Sequence, residues 1–156
     1  MHATQVFSRV EQSAMMDGEE PVMTNDLPPL RGLRHLALRV RDIPKAKEFY
    51  IKFFGMKVVW EPDLENCYLS SGTDNLALHQ STDTSETTGN SGPLDHFGFI
   101  AETPAEVDDW ARWAMRNGVQ IVKPPRQHRD GSYSCYLADP DGNTIQILYE
   151  PTISRK

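Results

Sequence analysis

The 156-residue chain has two cysteines, Cys67 and Cys135, and no CxxC pair. That usage suits a reducing cytosol, with both thiols packed rather than bridged. Long apolar runs are missing. Stretches such as Val58-Val59-Trp60 fall far short of the roughly 20 residues a membrane span needs. Positive charge is scarce as well. Sixteen Lys and Arg against 22 Asp and Glu leave a net charge of −6, which argues against nucleic acid because phosphate binding requires a basic face. The first 30 residues lack a basic start followed by an apolar stretch and carry Asp17, Glu19 and Glu20. A secretory signal is therefore not expected, and a cytoplasmic location is. What remains, 38% hydrophobic and 24% charged residues, is the composition of an ordinary soluble protein.

This length suits one domain, or two small modules that share a core. Residues 1–30 read as a poorly ordered extension with a break at Pro28-Pro29, and a short helix is conceivable over Gln5–Met15. Regular patterning begins at Leu33. Leu33–Val40 alternates, with Leu36, Leu38 and Val40 on one face of a strand and His35, Ala37 and Arg39 on the other. Asp42 can cap the next helix, with Pro44 in its first turn. Ala46, Phe49, Tyr50, Phe53 and Phe54 form its buried stripe, and Gly55 ends it. Strands are expected over Met56–Glu61, Glu65–Ser70 and Asn75–Gln80.

The Ser/Thr/Gly-rich stretch 81–93 reads as a linker. After it the programme repeats. Leu94–Ala101 is a strand with Phe97 and Phe99 on one face, His96 and Gly98 on the other. Thr103-Pro104-Ala105-Glu106 is a capping box. The following helix buries Val107, Trp110, Ala111, Ala114 and Met115 and stops at Gly118. Strands over Val119–Lys123, Ser132–Ala138 and Thr144–Tyr149 complete the copy, with Asp130-Gly131 and Asp141-Gly142 as tight turns. His35 and His96 lie 61 residues apart, and the helix-ending glycines 63. Such a period suits duplicated modules, not a solenoid. The expected fold is α+β: two tandem βαβββ modules, about 33–80 and 94–150 within a domain 31–150, with curved mixed sheets around a shared cavity. Residues 151–156 form a tail.

The run from His35 to Asp42, with Phe49-Tyr50 and Phe54-Gly55-Met56, resembles the first module of glyoxalase I. Leu94-Asp-His96-Phe-Gly-Phe resembles the opening strand of the second module, and Asp139-Pro-Asp-Gly142-Asn143-Thr-Ile-Gln146 its closing turn and strand. Together they resemble the vicinal oxygen chelate superfamily of glyoxalase I, bleomycin-resistance proteins and extradiol dioxygenases. The resemblance covers roughly residues 33–150 and is specific for the fold, less so for the reaction.

It implies a divalent metal (zinc, nickel, iron or manganese) held by residues from the first and last strand of each module. His35 and His96 match the two first-strand positions, and imidazole is a good ligand for such ions. Gln146 stands where the metalloenzymes supply a glutamate; its amide oxygen can coordinate but cannot act as a base. The first-module counterpart falls near Ala77, and His79, of the same parity, is a candidate further ligand. Three histidines with one amide, or two histidines with waters, are both open ligand sets. Gln146 and Glu150 share the inner face of the last strand and are the candidate catalytic residues. Arg39, matching the arginine that helps hold the glutathione carboxylate in glyoxalase I, is a candidate substrate-binding residue, as are Tyr68 and Tyr133. His128, on a hairpin tip, reads as solvated. The expected partner is a small molecule bearing neighbouring oxygens, with neither nucleic acid nor membrane, and a homodimer is the assembly such proteins often form. A metal-dependent lyase, isomerase or dioxygenase is the leading function. A metal-free binding protein of the bleomycin-resistance type is the alternative.

Overall fold

Eight strands and two helices follow one another in an order that repeats once. In the computed structural model, which describes residues 30, 32–82 and 93–154, the first module runs β1 (His35–Val40), α1 (Ile43–Phe54), β2 (Lys57–Asp63), β3 (Asn66–Ser70) and β4 (Asn75–Gln80). The second runs β5 (Phe97–Ile100), α2 (Pro104–Arg116), β6 (Ile121–Gln127), β7 (Tyr133–Ala138) and β8 (Thr144–Tyr149). The 5–15 helix, nearly all of the N-terminal extension and most of the linker lie outside the described residues. Each module folds into a four-stranded mixed sheet, ordered β1-β4-β3-β2 and β5-β8-β7-β6. The first strand of each module pairs in parallel with the last, and the other pairs are antiparallel.

The helices form where local chemistry favours them. Asp42 accepts the Lys45 amide at 2.9 Å, Pro44 occupies the first turn, and Gly55 closes α1 in the left-handed region at φ 63°. Thr103 caps α2 by accepting the Glu106 amide, while the Glu106 carboxylate reaches back to the amide of Glu102 rather than to Thr103 itself. Buried apolar side chains of both modules form one cluster. Cys67 and Cys135 are free and lie in it. No described helix is long and apolar enough to cross a membrane.

Several boundaries and faces differ from the sequence expectation. β1 starts at His35 rather than Leu33. β5 is reduced to four residues, so His96 sits just before the strand rather than within it. β6 starts later than Val119 and continues through Pro124-Pro125 to Gln127. It is an edge strand, as is β2 with Pro62, and both ladders shift register at their prolines, where no N–H is available to donate. Met115 is 71% exposed. At about 100° per residue it lies about 80° round from Val107, off the stripe that Val107, Ala111 and Ala114 bury.

Phe53 and Phe54 are half-buried and serve the junction between modules. The Phe54 ring stacks on Phe99 (4.4 Å, 13°) and on Trp110 (5.4 Å), and Phe53 meets Trp113 edge-on at 5.1 Å. A cavity of about 550 Å³ beside them is lined by Gly55, Asp109 and Arg116 together with Phe53, Phe54, Trp110 and Trp113. Polar contacts reinforce the junction. Tyr50 Oη donates to Asp139 Oδ2 at 2.7 Å in the buried interior, and the Arg41 amide and Nε both donate to Asp141 Oδ1. Asp139 also accepts the amides of Asp141 and Asn143 and the Asn143 side chain. The turn leading into β8, and hence to Gln146, is thereby fixed to the first module.

Candidate functional site

Strand alternation leaves one face of each sheet away from its helix. On the first module that face carries His35, Ala37 and Arg39 of β1, Asn75, Ala77 and His79 of β4, and Asn66 and Tyr68 of β3. Register places Ala37 beside Ala77 and Ala77 beside Tyr68, with Arg39 and Asn66 flanking His79. His35 Nδ1 donates to Asn75 Oδ1 and His79 Nδ1 to Asn66 Oδ1, each at 2.7 Å. A ring whose Nδ1 proton is used in this way presents the bare lone pair of Nε2, the arrangement that suits a metal ligand.

On the second module the corresponding row is Gly98, Gln146 and Tyr136. Gln146 is the counterpart of Ala77, and Tyr136 of Tyr68. Gln146 is 8% exposed and its Nε2 donates to Ser134 Oγ (3.0 Å) and to Tyr136 Oη (2.9 Å). Those two bonds consume the amide protons, so the free function of the side chain is its oxygen, Oε1. The bare Cα of Gly98 lets the two strands approach closely beside it: a Cβ there would lie 3.1 Å from the Gln146 carbonyl oxygen, while Oε1 at 3.8 Å would be in ordinary contact. His96 Nδ1 bonds the Asp95 carboxylate, and its ring meets Tyr136 edge-on at 5.3 Å. Lys123 Nζ lies 4.9 Å from the centre of the Tyr136 ring. His128 Nε2 bonds Ser134 Oγ at 2.8 Å, which extends the chain from the hairpin tip to Gln146.

Two expected residues point elsewhere. Tyr133 lies on the helix-facing side of β7 with Cys135 and Leu137, and its hydroxyl donates to Asp108 of α2 at 2.9 Å. That bond, followed by desolvation, raises its pKa. Tyr136 replaces it on the Gln146 side, and its parity relative to buried Cys135 was a readable signal. Ser134 was missed for want of the same step, and His128, read as solvated, is half-buried and bonded to Ser134 instead. Glu150 follows the end of β8, and its carboxylate accepts the amide and hydroxyl of Thr152 within a C-terminal turn. Its role there is that of a turn acceptor.

Among the described residues no group of three or more His, Cys, Asp or Glu side chains is placed to hold a metal ion. His35, His79 and His96 are thus not gathered into one set within the chain. The donors fit a divalent ion in kind, as neutral imidazole nitrogens and an amide oxygen, and they lack a carboxylate. A second cavity, of about 490 Å³, is lined by Arg126 to Asp130 on the hairpin. Neither it nor the cavity between the helices is lined by His35 or His96.

Two βαβββ modules, each with a histidine at or just before its first strand, define a class of fold seen across several chemistries. The chain belongs to the glyoxalase/bleomycin resistance protein/dioxygenase superfamily, whose family model matches residues 32–147; this is the vicinal oxygen chelate superfamily. It is similar to an uncharacterized protein of Pseudomonas aeruginosa, 32% identical over 135 residues that cover 75% of this chain and 87% of that one. It is also similar to metallothiol transferase FosB of Staphylococcus saprophyticus, 26% identical with 76% of each chain covered. Among solved structures, a lactoylglutathione lyase from Agrobacterium tumefaciens superposes with a TM-score of 0.67 at 25% identity, covering 81% of this chain and 98% of that one.

Proposed function

We propose that the protein is a divalent-metal-dependent enzyme of this superfamily, acting on a small substrate with neighbouring oxygens. One observation carries the reading: Gln146 spends both amide protons on Ser134 and Tyr136 and keeps its oxygen free, beside a strand that His96 introduces with its Nε2 unbonded. His35, His96 and Gln146 would hold the ion, and His79 is left out because it stands at the register position of Leu148, not of Gln146. When bound, such an ion supplies Lewis-acid polarisation of substrate oxygens.

The chain's own groups then divide the remaining work. Tyr136 Oη accepts from Gln146, so its proton is free to be donated to a substrate oxygen. Arg39 has no ion-pair partner among the described residues and can pair with an anionic group bidentately. No carboxylate stands at position 146 to serve as the proton-abstracting base of ordinary glyoxalase I chemistry, and that activity is expected to be weak or absent.

Metal content of protein purified without chelator is the test. Stoichiometric zinc, nickel, iron or manganese, lost in both His35→Ala and His96→Ala, supports the enzyme. No metal at micromolar supply refutes it and favours a metal-free binding protein, a reading that Ala77 and the missing carboxylate already support.

A further inference from the structure

The two open faces have diverged in a way that separates their tasks. Trp60 of β2 pairs with Tyr68, and the second module has Lys123 at that position beside Tyr136. Arg39 and His79 pair across β1 and β4, where the second module has Ile100 and Leu148. The first face thus holds a row of rings ending in a cation. Trp60 meets Tyr68 edge-on at 4.9 Å, and Tyr68 meets His79 at 5.7 Å.

The His79 end of this row is held in place before anything binds. Asn66 Nδ2 donates to Asp63 Oδ1 at 2.8 Å, and Asn66 Oδ1 accepts from His79 at 2.7 Å. The Asp63 carboxylate also accepts the Glu65 amide, which turns its charge into the β2–β3 hairpin. Trp60 is nevertheless 55% exposed on an edge strand. Trp60 thus leaves a large ring in water at one end of the aromatic row, and at the other end His79 pairs in register with Arg39, which has no ion-pair partner among the described residues.

We infer that the open face of the first module binds a planar aromatic acid, its ring lying against Trp60, Tyr68 and His79 and its anionic group meeting Arg39. Rings supply apolar area with a preferred geometry and little entropy to lose, and the guanidinium matches a carboxylate in shape as well as charge. The proposal names a substrate class for the enzyme proposed above and rests on that reading for its link to catalysis. Binding itself does not, because none of these four side chains is among the proposed metal ligands.

The test uses the full chain labelled with ¹⁵N at tryptophan. Its three indole N–H resonances are assigned with Trp60→Phe, and 2-naphthoate is the probe. Cyclohexanecarboxylate, which lacks the ring, and 2-naphthalenemethanol, which lacks the charge, are the controls. The expected result is a saturable shift of the Trp60 resonance, with Kd rising at least tenfold in Arg39→Gln and at least tenfold for each control. Both residues are exposed, so the variants are expected to fold, which circular dichroism checks. Dialysis against EDTA is expected to leave the titration unchanged. A shift confined to Trp110 and Trp113 would place the acid in the cavity between the helices and overturn the proposal. An unchanged Kd in Arg39→Gln, or loss of binding after EDTA, would do the same. So would a Trp60 resonance that moves with protein concentration and ignores the probe, which would assign the face to a second copy of the chain. Absence of metal in the purified protein bears on the proposed enzyme alone.

Discussion

Replacing Tyr50 by Phe removes one hydroxyl from the junction between the modules. Tyr50 is fully buried, and its hydroxyl donates to Asp139 Oδ2 at 2.7 Å. After the change each carboxylate oxygen keeps a partner: Oδ1 the amides of Asp141 and Asn143, Oδ2 the Asn143 side chain. The loss is therefore that of one hydrogen bond to a charged group, about 1.5–2 kcal/mol. It is not the 3–5 kcal/mol, in order of magnitude, of an orphaned buried charge. For a domain of this size that corresponds to a fall in Tm of roughly 4–10 °C. The effect has a pH signature. Burial first, and the Asp139 carboxylate second, raise the Tyr50 pKa well above its ordinary value. A group whose folded pKa is raised contributes stability fully below its unfolded pKa, near 10, and loses it as pH rises toward the folded value. The difference between wild type and Tyr50→Phe should hold constant from pH 6 to 9 and shrink above pH 10. Urea melts at pH 7, 9 and 10.5 read it directly. A loss below about 0.5 kcal/mol at pH 7 would refute the reasoning, since it would mean that this bond contributes less than a typical neutral one.

Gln146→Glu restores a carboxylate to the second-module row. It should raise the affinity for zinc or nickel at least tenfold in a chelator competition, as Ser134 and Tyr136 turn their hydroxyls to donate to the new oxygens. Gly98→Ala sets a Cβ 3.1 Å from the Gln146 carbonyl oxygen, against backbone that cannot swing aside. A destabilisation of about 1–3 kcal/mol in urea melts is expected. Burial pushes the Cys135 thiol up to about 11, and Cys67 is also raised by burial. At pH 8 both should resist iodoacetamide in the native protein and react fully in 6 M guanidinium chloride, read by intact mass.

Alternation and turn chemistry made most of the architecture legible. Leu36, Leu38 and Val40 against His35, Ala37 and Arg39 place β1 correctly on both faces, and Asp42, Gly55 and Thr103 mark the helix ends where they fall. The repeat of first-strand histidines revealed the duplication. Legibility fails where a boundary depends on a neighbour. β6 crosses two prolines because it is an edge strand, and β5 is cut short so that His96 falls outside it. It fails again where contacts span long sequence separations. Phe53 and Phe54 fit a helix stripe, but nothing local reveals that they bridge to Phe99, Trp110 and Trp113. Tyr50 and Asp139 are 89 residues apart. The misplacement of Tyr133 is of another kind. Cys135 and Leu137 are both apolar, and period two from them already puts Ser134 and Tyr136 on the side of Gln146.

The open faces of the two modules have diverged unevenly. Histidine is retained at or just before the first strand of both modules, and a tyrosine is retained at 68 and 136. Every other position compared across the open faces has changed: Ala77 to Gln146, Asn66 to Ser134, His79 to Leu148, Arg39 to Ile100, Trp60 to Lys123. Retention of the histidine amid that divergence is hard to ascribe to folding, since His35 is exposed, whereas Tyr136 is buried and packs as well. Gln146, by contrast, is buried and doubly bonded, so its side chain is specified by the structure around it. A carboxylate there would need Ser134 and Tyr136 as donors, which both hydroxyls can become by rotation. The shell around position 146 is therefore compatible with either acceptor. Any chemistry this face performs must do without a carboxylate base at that point, which leaves the hydroxyls of Tyr136 and Ser134 as the proton-bearing groups beside Gln146.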